Sequence, residues 1–262
     1  MKTTLSVQLL NCELTLLDLN IGQAIDIAQI PQEYNERRIS ALIGHITDEP
    51  MLAASLTVEE RYYLLLNHQA VSDHGYKDDS VSQDYFIDTL QSDVPENYQV
   101  GDMYIQHLRG AHACVLEGLC ENVFEWLCGQ MACQLYGDLT SIVGGSDENL
   151  MWDQVLSTST DNEITKIVND RYEVIKKLSA TSSSAFNELA NAYNKGSLQL
   201  MHFVEMGCDN EGLTLIKQGG AGIVEPARFL ALSYLSGTAA RIAECVTKRR
   251  DGHDGTRQNE PA

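Results

Sequence analysis

The sequence predicts a mainly α protein, an irregular helical bundle arranged around one long central helix. Three observations support this prediction: a long run of helical periodicity, two capping signatures that open further helices, and a hydrophobic content of 44% that can supply a substantial core. A short N-terminal β element and a small hairpin near residues 198–216 are the only strands expected.

The central helix is predicted over residues 104–136, where one apolar period continues for longer than anywhere else in the chain. Its first apolar row consists of Ile105, Leu108, His112, Val115, Leu119, Val123, Trp126 and Met131. A second row beside it consists of Leu116, Cys120, Phe124, Leu127 and Cys128. A helix with so wide an apolar surface packs from more than one side.

The N-terminal region begins with a β pattern and continues with helices. Residues 3–10 alternate apolar with polar side chains, which predicts a short strand, and residues 14–19 form a second strand or an extended entry. A short helix is expected from about Asn20 and must end near Pro31. The apolar residues within 39–46 have the spacing of the next helix.

Two capping boxes mark the starts of two further helices. In residues 57–60 and 160–163, a Thr hydroxyl can accept from the amide three residues on, while the Glu side chain reaches back to the Thr amide. The first helix should stop near Val71, and the second should continue for about five turns. Another helical stretch follows, which Gly196 is expected to end.

The C-terminal third contains two less regular segments. Residues 198–216 fit a hairpin, although Leu198–Met206 could equally continue the preceding helix. Pro226 suits the first turn of a last helix that would extend to Val246.

Composition divides the chain into four parts. These are an N-terminal strand and helical part (1–72), an acidic excursion (73–102), a helical core (103–247) and a disordered tail (248–262). The excursion is rich in Asp and Glu, and Lys77 is its single basic residue. We therefore expect a solvent-exposed loop with one helical turn near residues 84–91.

The charge of the chain excludes several classes of partner. There are 18 Lys and Arg against 37 Asp and Glu, a formal net charge of −19, which repels nucleic acid and anionic membrane surfaces. No run of 18 apolar residues predicts a membrane span, and the N-terminus lacks the apolar stretch of a signal peptide. The protein is therefore expected in the cytosol of the cell that makes it.

The seven cysteines are interpreted as reduced, mostly buried side chains, and no metal or other cofactor is predicted. In a single helix Cys114 and Cys128 would be roughly 21 Å apart along the axis, too far to share an ion. A metal alternative stays open if the helix breaks at Gly118 or Gly129. The side chains that could then take part are Cys114, Cys120, Cys128, Cys133, Cys208, His107, His112 and His202.

His112 itself is interpreted as a core histidine, because it lies on the apolar stripe. The chain contains no nucleophile elbow, zinc-protease signature or phosphate-binding loop, so no catalytic residue is predicted and an enzymatic role is not expected.

Residues 62–66 are five consecutive large side chains, which cannot all face one core. Some of them must meet a second surface, either within the chain or on a partner. The candidate partner contacts are Tyr62, Tyr63, Leu66, Tyr85 and Phe86.

Three stretches resemble segments of tail and baseplate proteins of tailed bacteriophages: residues 14–43 (LTLLDLNIGQAIDIAQIPQEYNERRISALI), 56–66 (LTVEERYYLLL) and 121–135 (ENVFEWLCGQMACQL). The resemblance implies a non-enzymatic helical subunit of a hetero-oligomeric assembly that binds other tail proteins, such as the hub or the tape measure protein. It implies residence in the host cytoplasm before assembly and in the virion tail afterwards.

Two alternatives accompany that reading. One is a tail assembly chaperone that is absent from the mature virion. The other is a tail-tip protein that binds a metal ion or an iron–sulfur cluster through the cysteines.

Overall fold

The computed structural model describes residues 5–71, 83–87, 94–137, 160–218 and 226–235, and within them the protein is mainly α, as predicted. The helices are α1 (Ile21–Ala28), α2 (Asn35–Thr47), α3 (Leu52–Ser55), α4 (Val58–Val71), α5 (Gly110–Leu119), α6 (Val123–Gln134), α7 (Asp161–Thr181), α8 (Ser183–Leu200) and α9 (Ala231–Tyr234). The strands are β1 (Leu5–Gln8), β2 (Glu13–Leu16), β3 (Asn97–Val100), β4 (Met103–Gln106), β5 (Leu135–Gly137), β6 (Glu205–Asp209) and β7 (Gly212–Ile216).

The chain divides into two compact units whose boundaries differ from the predicted ones. The first unit comprises Met1–Ala53, Leu64–Ser80 and Phe229–Ala262, and the second comprises Ala54–Tyr63 and Val81–Arg228. The helix α4 thus contributes to both units.

Residues 229–231 belong to the first unit, where the side chain of Asn35 binds their backbone. The Asn35 side-chain amide donates to the carbonyl of Phe229 at 2.9 Å, and its oxygen accepts from the amide of Ala231 at 3.1 Å. A prediction from local composition could not find this pairing, since its partners lie at opposite ends of the chain.

The first unit is built around α2. The strands β1 and β2 form an antiparallel pair, and α1 begins at a capping box in which the Asn20 side chain accepts from the amide of Gln23 at 3.0 Å. The α2 side chains that lie in the core are Ile39, Leu42, Ile43 and Ile46, all fully buried. They pack against α1, β2 and α9, and each contributes about 1.5–3 kcal/mol of burial free energy.

The prediction of one long central helix is wrong. Residues 103–137 form two strands and two helices, in the order β4, α5, α6 and β5. The break follows Leu119: Cys120 is extended, and the extended Asn122 caps α6 by accepting from the amide of Glu125 at 3.1 Å. Because both helices are apolar on a wide face, the apolar period continues through the break and conceals it.

The helices α5 and α6 pack closely where the chain folds back. At Gly129, an added Cβ atom would lie 2.5 Å from the Cδ2 atom of Leu116. The end of α6 is fixed by the buried Arg171 of α7, which donates to the carbonyls of Ala132, at 2.7 Å, and Leu135. The last carbonyls of a helix have no partner within it, so this guanidinium stabilises the end of α6 and the turn into β5.

The second unit has a core between a small sheet and two long helices. The strands β3, β4 and β5 form an antiparallel sheet in that order, and α8 packs on β3 and β4. The core side chains are Met103, Ile105, Cys128, Met131, Ala132, Leu135, Tyr172, Ile175, Leu178, Leu189, Tyr193 and Leu200. The predicted capping box at Thr160 is confirmed, with Glu163 bonded to the Thr160 amide at 2.7 Å.

Of the two predictions for the C-terminal third, one is confirmed and one is wrong. The hairpin within 198–216 is confirmed as β6 and β7, after α8 has continued to Leu200. The prediction that Pro226 starts a helix is wrong, because Ala227 pairs with Leu215 in an antiparallel bridge and α9 begins only at Ala231.

Part of the predicted acidic excursion belongs to the fold. Its end forms β3, and Gln83–Tyr85 form one 3-10 turn. Residues 73–82 and 88–93 of that excursion, Cys245, the extension of the last helix and the tail 248–262 lie outside the described residues. None of the helices in the described part has the length and apolar character needed to cross a bilayer.

The prediction that Gly196 ends its helix is wrong, because Gly196 lies inside α8 against Ile105 of β4. A Cβ atom at this position would lie 2.7 Å from the Cγ1 atom of Ile105 and 3.1 Å from its Cβ atom. Such distances are too short for carbon atoms, so only glycine allows α8 to lie this close to the sheet.

We expect Gly196→Ala to lower the free energy of unfolding by about 1–2 kcal/mol, since the overlap with Ile105 outweighs the better helix propensity of Ala. The matched control is Gly118→Ala in α5, where an added Cβ meets nothing within 4 Å. This control should be neutral or stabilise by up to about 1 kcal/mol. Urea unfolding of the two variants measures both effects, and equal midpoints would contradict the packing argument.

Candidate functional site

Three of the side chains predicted to contact partners are buried in the chain itself. Tyr62, Leu66 and Tyr85 are exposed by 0%, 1% and 3%. The alternative of burial within the chain therefore accounts for them. They could meet a partner only if the fold opened.

Tyr63 and Phe86 are half-buried and form an aromatic group with Phe203. The Tyr63 ring stacks on Phe203 with centroids 4.3 Å apart, and Phe86 meets Tyr63 edge-on at 5.5 Å. Contacts of this kind contribute about 0.5–1.5 kcal/mol each to stability, so both rings already stabilise the second unit.

The first turn of α6 exposes apolar side chains instead. Val123 is 46% exposed and Phe124 is 40% exposed, and the Phe124 ring lies 5.8 Å from that of the half-buried Phe186. We call these three residues the phenylalanine patch. Its backbone is held in place because the Val123 amide donates to the side chain of Asn210 at 3.0 Å.

The central segment folds back, but no three thiols of the described ranges lie close enough to share an ion. The cysteines in these ranges form no disulfide. Burial raises the pKa of Cys120 to about 12 and that of Cys128 to about 11. Metals bind the thiolate, so an ion at either cysteine would have to displace the proton of its thiol.

A different set of metal-binding side chains does come together. One ligand atom each of Glu59, His107 and His202 lies within 4.8 Å of the other two, and the described residues contain no other such group of three. We call this the Glu–His–His cluster. All three residues belong to the second unit.

Glu59 and His107 are neighbours because two backbone segments pair. Glu59 lies in the first turn of α4, and His107 directly follows β4. The amide of Val58 donates to the carbonyl of Leu108 at 2.8 Å, which places the start of α4 against the segment between β4 and α5.

His202 joins them from the turn after α8. Its Nδ1 donates to the carbonyl of Leu200 at 2.8 Å, and its Nε2 lies 2.9 Å from the hydroxyl of Thr57. The next residue, Phe203, has a φ of +56°, in the left-handed region that costs a non-glycine residue about 1–2 kcal/mol. The stacking of Phe203 on Tyr63 helps to offset that strain.

Two polar atoms of the cluster are buried without a hydrogen-bond partner among the described residues. His107 donates its Nε2 hydrogen to the carbonyl of Pro95 at 3.0 Å, which leaves Nδ1 with a free electron pair. Oε2 of Glu59 is also buried without a partner. A buried unpaired polar group costs about 1–3 kcal/mol.

Burial also sets the protonation of these groups. Loss of solvent raises the pKa of Glu59, with nearby His202 acting in the opposite direction. Burial, and then the proximity of His202, lower the pKa of His107 to about 3. His107 is therefore neutral near pH 7 and able to offer its electron pair.

Glu59 lines part of a cavity of about 120 Å³. Its polar lining includes Gln130, Gln134 and Tyr193, and the Tyr193 hydroxyl lies 2.9 Å from the side-chain oxygens of both glutamines. This volume is large enough to hold water.

The sequence offers no signal for this cluster. Glu59 is an interior residue of a capping box, and the sequence indicates His107 and His202 only as additions to a cysteine site. The three residues are far apart in the chain, so only the tertiary fold brings them together.

No protein-family model matches the chain, and no curated protein or solved structure is significantly similar to it. The resemblance to phage tail proteins therefore stays a prediction.

The interpretation of His112 as a core histidine is confirmed. It is fully buried, and its Nδ1 accepts from the amide of Arg109 at 3.1 Å at the start of α5. Burial, followed by the positive charges of Arg109 and Arg171, lowers the pKa of His112 to about 3.

We expect this histidine to destabilise the fold in acid. Its pKa is about 3 when folded and about 6.5 when unfolded. His112 therefore leaves the free energy of unfolding unchanged above about pH 6.5. Below that pH it lowers the free energy of unfolding by about 1.4 kcal/mol per pH unit. His112→Gln keeps an acceptor for the amide of Arg109. Between pH 7 and pH 5 this variant should lose about 2 kcal/mol less free energy of unfolding than the wild type does. Urea unfolding at both pH values tests this, and an unchanged pH dependence would contradict it.

Proposed function

We propose that the protein is a non-enzymatic structural subunit of a bacteriophage tail or baseplate, which binds other tail proteins such as the hub or the tape measure protein. The observation that carries the proposal is the phenylalanine patch. It belongs in part to residues 121–135, one of the three stretches that resemble phage tail proteins, and it exposes an aromatic side chain to solvent.

The patch has the properties of an interface anchor. Large aromatic side chains are enriched at protein interfaces, where a few of them supply most of the binding energy. Phe124 is held by the first turn of α6 and by its contact with Phe186, so little side-chain freedom remains to be lost on binding.

An acidic side chain borders the patch and favours a partner with basic groups. Glu121 is exposed one residue before the cap of α6, whereas the charge of Glu125 is balanced by Lys176 at 2.6 Å. The net charge of −19 acts in the same direction, because it speeds the approach of a positively charged partner and keeps the free subunit soluble.

We expect Phe124→Ser to abolish capture of tail proteins from phage-infected cells by the tagged full-length chain, since loss of an interface anchor weakens binding by about 30-fold or more. The matched control is Leu198→Ser, which removes from α8 an apolar side chain that is 61% exposed, more than the 40% of Phe124. Mass spectrometry identifies the bound proteins, and circular dichroism checks that both variants fold. Equal capture by Phe124→Ser and the wild-type chain would contradict the role of the patch.

Mass spectrometry of purified virions separates a structural subunit from an assembly chaperone. A structural subunit should be present in stoichiometric copy number. Its absence from virions, with capture of tail proteins retained, would favour the chaperone instead.

A further inference from the structure

We propose that Glu59, His107 and His202 bind a divalent transition metal ion, and that Zn²⁺ is the ion that this ligand set fits best. This inference goes beyond the proposed function and does not rest on it.

The spacing of the Glu–His–His cluster suits a single ion. Three atoms at the corners of a triangle with 4.8 Å sides lie about 2.8 Å from its centre, whereas zinc bonds to nitrogen and oxygen are about 2.0–2.2 Å long. Because 4.8 Å is an upper limit here, each ligand atom needs to move by about 0.7 Å or less. Small side-chain rotations supply such movements without a change in the backbone.

Both histidines are already oriented as metal ligands are. A histidine that binds a metal usually donates its other ring N–H to a carbonyl or carboxylate, which fixes the ring and its tautomer. His202 donates from Nδ1 to Leu200, and His107 donates from Nε2 to Pro95. A carbonyl can only accept, so the nitrogen that faces it carries the hydrogen, and in the neutral form of either ring the opposite nitrogen offers an electron pair.

The electron pairs that remain on the Glu–His–His cluster are suited to bind a cation. The free electron pair of His107 and the unpaired Oε2 of Glu59 have no other use among the described residues. The corresponding nitrogen of His202 meets only the Thr57 hydroxyl, which can turn away and keep its bond from the amide of Glu60 at 3.1 Å. A bound ion would satisfy both buried atoms and balance the carboxylate charge.

Ligand chemistry selects the class of ion. Calcium and magnesium prefer sites made of oxygen atoms, and iron–sulfur clusters need thiolates, whereas imidazole suits zinc and its neighbours. Two histidines and a glutamate form a known zinc ligand set that leaves one position open. Since Glu59 borders the cavity, water held near Gln130, Gln134 and Tyr193 can take that position.

The first test uses the full wild-type chain, stripped of metal and then loaded with Zn²⁺. We expect one equivalent of zinc per chain and a rise in melting temperature that a chelator reverses. X-ray absorption at the zinc edge should show nitrogen and oxygen ligands at about 2.0–2.1 Å. Sulfur ligands at about 2.3 Å would place the ion on the cysteines and overturn the proposal, as would the absence of stoichiometric binding.

The second test uses single substitutions. Glu59→Gln removes the carboxylate charge while keeping the shape, and His107→Ala removes one nitrogen ligand. Each should weaken zinc binding by at least about 100-fold, because even indirect partners of a metal ligand contribute 10–100-fold. The matched controls are Glu121→Gln and His45→Ala, which lie outside the cluster and should bind zinc as the wild type does.

Folding of the variants is checked by their melting temperatures without metal. Unchanged zinc affinity in both folded variants would overturn the proposal. If a variant does not fold, X-ray absorption of the wild-type chain tests the proposal instead, since sulfur ligands would overturn it and nitrogen and oxygen ligands would support it.

Discussion

The second unit depends on one pairing of backbone segments, which joins the start of α4 to the segment between β4 and α5. Val58 donates to Leu108 at 2.8 Å, and Gly110 donates to Leu56 at 2.9 Å. Thr57 lies between these bonds, where its hydroxyl both caps α4 and meets His202. The pairing therefore fixes the start of a helix and also sets the position of the Glu–His–His cluster.

Elements that depend on local contacts were predictable from the sequence. The capping boxes at Thr57 and Thr160 form because their partners are three residues away, and the stripe within 39–46 reports the core face of α2 directly. The hairpin of β6 and β7 is local too, since a short turn joins its strands. In each case the information lies within a few residues of the element it determines.

Elements that depend on distant contacts were not predictable. The break before Asn122 is stabilised by packing of Gly129 on Leu116 and by Arg171, which comes from another helix. An apolar period does not show whether a helix continues or folds back on itself, because both arrangements bury the same side chains. Gly196 illustrates the same limit, since its role is to accommodate Ile105 and not to end a helix.

The Glu–His–His cluster is the strongest case of this kind, because each member has an ordinary local explanation. Glu59 is an acid in a first helical turn, and His107 and His202 lie beside element ends, where polar residues are common. Their meeting leaves two buried polar atoms unpaired, next to a strained residue at Phe203. Stable folds seldom retain such costs without a compensating interaction, and a cation bound between these ligands would supply one.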